Sequence, residues 1–215
     1  MRIVKGKKIE EMSDLEFNVL AKHFAKVVID LGTGDGRFIF KSALANPNNL
    51  YVGIDPSQTQ LEIYSQKALK NKLNNTLYVL GSIEKLPQEL DDKAHQMHIF
   101  LPWGSLLQAI VKPDIVLLNQ LLHLLKPFAE LEIILGYNPE TEPTETARLE
   151  IAKIDATYIE EKILPAFSSA GFEKALYKKL TRQDLKKFET TWSKKLTFGK
   201  DRPLYLFEFK KKHAD

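Results

Sequence analysis

Residues 27–36 read Val-Val-Ile-Asp-Leu-Gly-Thr-Gly-Asp-Gly, and this stretch decides the fold. The apolar run from Lys26 to Leu31 is typical of a buried strand in a parallel sheet that helices cover on both faces. Three glycines then permit a tight turn and a close approach between a ligand and the backbone. A helical pattern of apolar residues begins near Phe38. Strand, glycine turn and helix in this order predict an α/β fold with a nucleotide-type site at the carboxyl end of the strand.

The residues around the turn narrow the choice of ligand. A dinucleotide fingerprint needs a third glycine at position 37, where this sequence has Arg37. Asp35 lies where the helix begins, and with Asp30 it would repel a pyrophosphate seated on the helix N-terminus. The two acids favour a cationic adenosine ligand without phosphate, and S-adenosylmethionine (SAM) is such a ligand. A strand–turn–helix junction that binds nothing is the alternative.

Two later strand ends supply further candidates for the same ligand. The predicted second strand, residues 50–55, ends in Asp55, whose carboxylate can accept hydrogen bonds from both hydroxyls of an adenosine ribose. The predicted third strand, residues 77–80, is followed by Ile83 and Glu84, where an adenine ring and its amino group would lie. The alternative for Glu84 is an ordinary acid at a helix N-terminus.

Length and composition limit the other possibilities. The 215 residues suit one α/β domain, and we predict a single domain over 1–215 with an N-terminal hairpin at about 1–10 and an insert loop and helix at about 137–170. The chain has no cysteine, which excludes disulfides and thiolate metal sites. We find no signal-peptide pattern and no stretch of membrane-span length. We therefore expect a cytoplasmic protein with no bound metal and no membrane contact.

A tryptophan and a set of lysines indicate a nucleic-acid substrate. Trp103 follows Pro102 on a predicted loop after the fourth strand, residues 96–100, and an exposed indole there offers a stacking face. The net charge is only +3, but Lys67, Lys70 and Lys72 cluster on one predicted helix. A local positive surface beside an acidic pocket suits a polyanion substrate with a cationic cofactor. The alternative for the lysines is a solvated helix face.

Several motifs in their order along the chain carry a resemblance to a known family. They are Ile29-Asp30-Leu31-Gly32-Thr33-Gly34-Asp35-Gly36-Arg37, Gly53-Ile54-Asp55-Pro56, Glu84-Lys85-Leu86-Pro87, Leu101-Pro102-Trp103-Gly104-Ser105 and Trp192-Ser193-Lys194-Lys195-Leu196-Thr197-Phe198-Gly199. Together they resemble the aminoglycoside-resistance 16S rRNA (adenine(1408)-N(1))-methyltransferases of the NpmA and KamB type. The resemblance implies a class I SAM-dependent methyltransferase: an α/β, Rossmann-like fold whose seven-stranded sheet has a reversed last strand.

The resemblance also assigns roles to residues. It implies a SAM site at Asp30, Gly32, Asp55, Ile83, Glu84, Leu101, Ser105 and Thr190. The two tryptophans of the chain, Trp103 and Trp192, would hold the flipped target adenine between them. The residues that would bind RNA are Lys67, Lys70, Arg148, Lys195, Lys200 and Arg202. Lys195 and Lys200 stand where some members have arginine, and Leu101 stands where some have phenylalanine.

The expected function is methylation of adenine N1 at the aminoglycoside-binding decoding A site of 16S rRNA in the 30S subunit, with resistance as the result. The expected partners are therefore the 30S subunit and its 16S rRNA, and we expect a monomer. A class I methyltransferase for another RNA, such as tRNA, and a SAM-binding module without turnover remain as alternatives.

Overall fold

The computed structural model describes residues 1–140, 142–150, 154–188 and 202–212. Within these ranges, nine strands form a single sheet. In chain order they are β1 (Arg2–Lys5), β2 (Lys8–Glu11), β3 (Lys26–Leu31), β4 (Asn49–Asp55), β5 (Thr76–Leu80), β6 (Ala94–Phe100), β7 (Leu125–Leu135), β8 (Phe172–Leu180) and β9 (Leu204–Lys211).

Helices connect most of the strands, as the alternating pattern of the sequence predicts. They are α1 (Asp14–Ala21), α2 (Arg37–Ala45), α3 (Gln58–Lys70), α4 (Gly104–Val111), α5 (Ile115–Leu124), α6 (Pro143–Leu149), α7 (Ala156–Tyr158) and α8 (Leu164–Ser169). A π-helical turn, Ile159–Ile163, joins the last two. In the described ranges no single helix is long and apolar enough to cross a membrane; α4 and α5 meet that test only as a pair, with a 106° bend between them.

The strand order across the sheet is β2-β1-β5-β4-β3-β6-β7-β9-β8. The strands β5, β4, β3, β6 and β7 are parallel neighbours, whereas β9 runs antiparallel to both β7 and β8. This confirms the predicted class I arrangement with a reversed last strand. The predicted hairpin adds two strands, because Ile3 of β1 pairs antiparallel with Val79 of β5. The sheet has nine strands rather than seven, since β1 buries Ile3 and Val4 against its open edge.

Both faces of the central strands are covered, which explains the continuous apolar run of β3. Val27 and Ile29 belong to the larger core, which α1, α4, α5 and α8 cover, and Val28 belongs to a second core beneath α2 and α3. Side chains alternate between the faces along a strand, and here both faces exclude water. The carboxyl ends of the parallel strands consequently meet at one edge, where the loops that carry the site residues lie.

Two helix boundaries differ from the sequence-based predictions. The segment after β6 was expected to be a loop, but α4 begins at Gly104, directly after Trp103. The segment 137–146 was expected to be an insert loop, but α6 begins inside it at Pro143. Proline and glycine indicate turns in the sequence, whereas each here stands at the first position of a helix, a position that Pro readily takes. The predicted capping box of α1 is confirmed, with Ser13 and Glu16 bonded reciprocally.

A row of ionisable side chains crosses one face of the sheet between β6, β7 and β9. His98, Glu132 and Glu208 lie in register on adjacent strands. Burial lowers the pKa of His98 to about 4, so its ring is neutral at pH 7. It therefore does not compensate the negative charge of a neighbouring carboxylate. Burial, reinforced by the charges of Glu208 and Glu130, raises the pKa of Glu132 to about 7, and the charge of Lys178 opposes this only in part.

We expect Glu132→Gln to raise the melting temperature at pH 8 and to change it little at pH 5. Above the ordinary pKa of a glutamate, the unfolded chain is ionised at this position while the folded chain still holds the proton, so the wild type loses stability as pH rises from 4.5 to about 7. A gap of about 3 °C at pH 8 corresponds to roughly 1 kcal/mol for a chain of this size. Differential scanning fluorimetry across pH measures the gap.

Glu130→Gln is the matched control for this prediction. Glu130 lies on the same strand, but its side chain is more exposed, at 55%, and it faces Lys210. Its neutralisation removes the pair with Lys210 and one of the charges near Glu132, so these effects oppose each other and we expect a smaller change in melting temperature at pH 8 than for Glu132→Gln. Equal changes in melting temperature for the two substitutions would contradict a raised pKa of Glu132. A change for Glu132→Gln that does not depend on pH would contradict it as well.

Candidate active site

The glycine turn after β3 is fixed by the end of β4. The backbone N–H groups of Gly32 and Thr33 both donate to the carbonyl oxygen of Ile54, at 2.8 and 3.1 Å. Gly32 and Gly36 have positive φ angles of 76° and 77°. A Cβ atom on Gly36 would lie 2.4 Å from a ring carbon of Tyr78, so the turn admits no larger side chain at that position.

Asp55, at the end of β4, holds both this turn and the start of the next helix. One carboxylate oxygen accepts the N–H of Gly34 at 2.9 Å, and the other accepts the N–H of Ser57 at 2.9 Å. Burial raises the pKa of Asp55, and these two hydrogen bonds oppose that rise. A carboxylate has about four acceptor positions, so each oxygen keeps capacity for a further donor such as a hydroxyl.

Carboxylates give the turn a negative character. Asp30 is buried within β3, and burial together with the charges of Asp55 and Asp35 raises its pKa to about 7. Like charges in a desolvated site disfavour one another, and a bound cation would relieve this cost. The arrangement therefore suits a positively charged ligand and not a phosphate.

Glu84 and Ser105 approach each other from opposite sides of this edge of the sheet. Glu84 follows β5, and Ser105 is in the first turn of α4. Hydrogen bonds with Ser105 and then Ser82 hold the pKa of Glu84 below its usual range. The neighbouring Ile83 is buried at 2% exposure. An ionised acceptor therefore directly follows a buried apolar side chain after β5.

Trp103 directly precedes α4, and half of its surface is exposed. The two residues on either side of the Pro102–Trp103 pair, Leu101 and Gly104, have positive φ angles of 54° and 61°. Leu101 donates its N–H to the carbonyl oxygen of Ile134 on β7, at 2.8 Å. The indole is therefore presented to solvent by a tight loop beside the acidic pocket.

Comparison with known proteins identifies the family. The family model described as "16S rRNA (adenine(1408)-N(1))-methyltransferase" matches residues 2–210. This chain belongs to that family. A relative with the same description from Escherichia coli is 34% identical, and the match covers 95% of this chain and 96% of the relative.

Two solved structures agree in fold over the whole chain. A 30S ribosomal A1408 methyltransferase from an uncultured bacterium is 40% identical with a TM-score of 0.79, and the match covers 98% of this chain and 100% of the other. The 16S rRNA methyltransferase KamB is 29% identical with a TM-score of 0.88, with 99% and 100% covered. This A1408 methyltransferase family member therefore has the sheet and the helix order of solved 16S rRNA methyltransferases.

The basic residues of this A1408 methyltransferase family member lie in different environments. Lys67 stands over the ring of Tyr64 at 3.8 Å from the ring centre, and Lys70 is exposed on the last turn of α3. Arg202 is largely buried and donates to the carbonyl oxygen of Gly136 and to Glu142, at 3.0 and 2.5 Å. In this conformation Arg202 joins β7 to the start of α6, and its predicted contact with RNA stays a prediction.

Half of the predicted base clamp and part of the basic surface lie outside the described residues. The described residues include all the predicted cofactor ligands except one, and one of the two tryptophans. In the described ranges no three His, Asp or Glu side chains are placed to hold a metal. The positions outside them are Thr190, Trp192, Lys195 and Lys200.

Two contributors to the site have no signal in the sequence. Tyr78 packs beneath Gly36, yet in the sequence it is only an aromatic residue within a strand. Arg148, predicted to bind RNA, donates hydrogen bonds to α4, 40 and more residues earlier in the chain. Contacts between residues so far apart follow from the packing of the fold, so no local pattern could have revealed them.

Proposed function

We propose that this protein methylates N1 of adenine 1408 in the 16S rRNA of the 30S subunit, using SAM, and thereby confers aminoglycoside resistance. The observation that carries the proposal is the exposed Trp103 directly before α4, the helix whose first turn carries Ser105, the hydrogen-bond partner of Glu84. The carboxylates at the glycine turn suit a cationic cofactor, and an exposed indole suits a flipped base.

The cofactor half of the site fits SAM by its chemistry. When bound, SAM supplies a methyl group on a positively charged sulfur. Asp55 keeps acceptor capacity for ribose hydroxyls, Glu84 can accept from the adenine amino group, and Ser105 orients Glu84. The full set that we assign to this role is Asp30, Gly32, Asp55, Ile83, Glu84, Leu101, Ser105 and Thr190.

The target base needs positioning and no general base. Adenine N1 carries a free lone pair at neutral pH once the base is unpaired, so no side chain has to remove a proton before the transfer. Flipping costs a few kcal/mol, and stacking on an aromatic side chain returns about 1–3 kcal/mol per base. Trp103 would supply one face of the clamp, and Trp192 would supply the other. Rate enhancement then comes from orientation.

The substrate is the assembled subunit, which the protein recognises by the shape and charge of several RNA helices. The cations that the family resemblance implies for this contact are spread over α3, α6 and the segment before β9. They are Lys67, Lys70, Arg148, Lys195, Lys200 and Arg202. We further propose that the protein acts as a monomer in the cytoplasm.

We expect methylation of intact 30S subunits and little or none of protein-free 16S rRNA. The assigned cations lie on separate elements, and only assembly brings several RNA helices into one matching surface. Primer extension on 16S rRNA after incubation with protein and SAM measures this, because an N1 methyl group blocks pairing and stops the polymerase at one nucleotide.

Three outcomes would each contradict part of the proposal. Equal stops on protein-free rRNA would contradict recognition of the assembled surface. Methylation of bulk tRNA with no stop in 16S rRNA would favour the other RNA class. SAM binding without transfer to either substrate would favour a module without turnover.

A further inference from the structure

The loop that carries Trp103 has a strained backbone. Leu101, which is not a glycine, has a φ of 54°, and Gly104 on the other side of the tryptophan has a φ of 61°. Trp103 itself is extended, at φ −134°. A non-glycine residue in the left-handed region costs about 1–3 kcal/mol and persists only where its surroundings hold it. The surroundings of this loop therefore determine where the indole points.

Apolar packing holds the first half of the loop. The Leu101 side chain packs against the cluster of Phe100 and Ile134. Gly136, at the end of β7, leaves the room for this contact, because a Cβ there would lie 2.7 Å from a methyl carbon of Leu101. These contacts fix the loop up to Leu101 but do not reach Gly104.

A guanidinium from α6 contacts the second half of the loop. Arg148 of α6 donates from one terminal nitrogen to the carbonyl oxygen of Gly104 at 2.7 Å, and from the other to the side-chain oxygen of Gln108 at 2.8 Å. Gly104 and Gln108 lie one turn apart on α4, so the planar fork spans the first turn of that helix. The residue next to Trp103 is thus tied to α6 by its backbone.

A buried carboxylate fixes the position of the Arg148 guanidinium. Glu145, which is buried at 6% exposure, accepts from Arg148 through both carboxylate oxygens, at 3.2 and 2.7 Å. This hydrogen-bonded pair raises the pKa of Arg148 and fixes the plane of the guanidinium. The Arg148 side chain thus makes four hydrogen bonds, two to Glu145 and one each to Gly104 and Gln108. These bonds link α6 to α4 within the protein alone, before any RNA is present.

We propose that Arg148 is a positioning residue: it ties α6 to the first turn of α4 and thereby fixes the orientation of Trp103 before the substrate binds. The catalytic consequence rests on the proposed function, since it requires Trp103 to hold the base. The conformational consequence does not, because the tie exists within the protein alone. A contact with an RNA phosphate, predicted from the sequence, is the competing role for Arg148.

Arg148→Lys separates the two roles. Lysine keeps the positive charge and can still attract a phosphate, but it lacks the rigid fork that reaches Gly104, Gln108 and Glu145 together. A phosphate role predicts that Lys retains most of the function that Ala loses. The positioning role predicts that both substitutions release the Trp103 loop.

The first measurement uses tryptophan fluorescence without substrate. The chain has two tryptophans, so Trp192→Phe leaves Trp103 as the single reporter. In that background we expect Arg148→Lys and Arg148→Ala to increase acrylamide quenching of Trp103 and to lower its anisotropy. Gln108→Ala, which removes one of the bonds and no charge, is expected to give a smaller change in the same direction. Unchanged quenching and anisotropy in all three variants would overturn the proposal.

A matched control acts on the same two elements. Lys112 at the end of α4 forms an exposed ion pair with Glu150 just after α6, at 3.3 Å. Lys112→Gln breaks this second link far from Gly104 and is expected to leave the Trp103 signal at its original value. Thermal unfolding of every variant, checked in parallel, ensures that a fluorescence change reports the loop and not a loss of fold. A change as large in Lys112→Gln would count against a specific role for Arg148.

The second measurement uses the native tryptophans and 30S subunits. We expect Arg148→Lys to lower kcat by about 10- to 100-fold, as displacement of a positioning group does, with the KM for SAM unchanged. A raised KM for 30S in Arg148→Ala alone, with kcat preserved in Arg148→Lys, would assign Arg148 to phosphate binding and overturn the proposal. If the wild type does not methylate 30S at all, the proposed function is wrong. The fluorescence measurement still shows whether Arg148 fixes the orientation of Trp103.

Discussion

Trp103→Ala is expected to lower methyl transfer to 30S subunits by about 5- to 150-fold, the range that corresponds to the loss of 1–3 kcal/mol of base stacking. SAM affinity should barely change, because we assign the cofactor contacts to Asp55 and Glu84 and not to the indole. The side chain is half exposed, so its removal takes little from the core. Single-turnover methylation of 30S and calorimetry with SAM measure the two effects.

Two further substitutions make this prediction specific. Trp103→Phe keeps an aromatic face of smaller area and should restore part of the activity. Phe128→Ala removes another exposed aromatic ring, 67% exposed near the start of β7 and thus toward the opposite edge of the sheet, and should leave the activity unchanged. Full activity in Trp103→Ala, or a loss of SAM binding with a lowered melting temperature, would show that Trp103 does not act as a base platform.

The parts of this fold that the sequence predicts well are those whose cause is local. The strand from Lys26 to Leu31 is found at the predicted residues, because an apolar run that ends in a glycine turn has few other solutions. The capping box at Ser13 and Glu16 is likewise contained in four residues. The class I strand order follows from a resemblance that covers nearly the whole chain.

The parts that the sequence did not predict depend on distant partners. The start of α4 resembles a loop in sequence, and in the structure Arg148, 44 residues from Gly104, donates a hydrogen bond to its first turn. The family resemblance implies an RNA contact for Arg202, and the structure adds a pairing with Glu142, 60 residues away, that the sequence did not predict. A positive charge in a sequence does not reveal which carboxylate folding brings beside it. The residues around an arginine in the folded protein show whether it has a structural role, and these residues are distant in sequence.

The candidate site also combines features that the local sequence predicts with features that depend on distant partners. Asp55 could be assigned to the ribose because it ends a strand next to the glycine turn. Its second role, which is to hold the N–H groups of Gly34 and Ser57, depends on the turn approaching the end of β4 and appears only in the structure. The proposed ribose contact would use lone pairs of the carboxylate that these two backbone hydrogen bonds leave available, so substitution of Asp55 is expected to affect both.

Asp55→Ala is therefore expected to weaken SAM binding by about 100-fold or more. Hydrogen bonds to a charged group contribute about 1.5–3 kcal/mol each, and two ribose hydroxyls would lose their acceptor at once. The turn at Gly34 would also lose its anchor, which reduces the preorganisation of the cofactor pocket. Isothermal titration calorimetry with SAM measures the affinity, and thermal unfolding measures the cost to the fold.

Ser57→Ala is the control that separates the cofactor from the fold in this prediction. It removes the hydroxyl that caps α3, at 3.4 Å from the N–H of Gln60, but keeps the backbone N–H that Asp55 accepts. It should lower the melting temperature slightly, as loss of a weak cap does, and leave SAM affinity unchanged. Wild-type affinity in Asp55→Ala would remove Asp55 from the cofactor site. Equal losses of affinity in the two variants would indicate that the start of α3, and not the Asp55 carboxylate, controls binding.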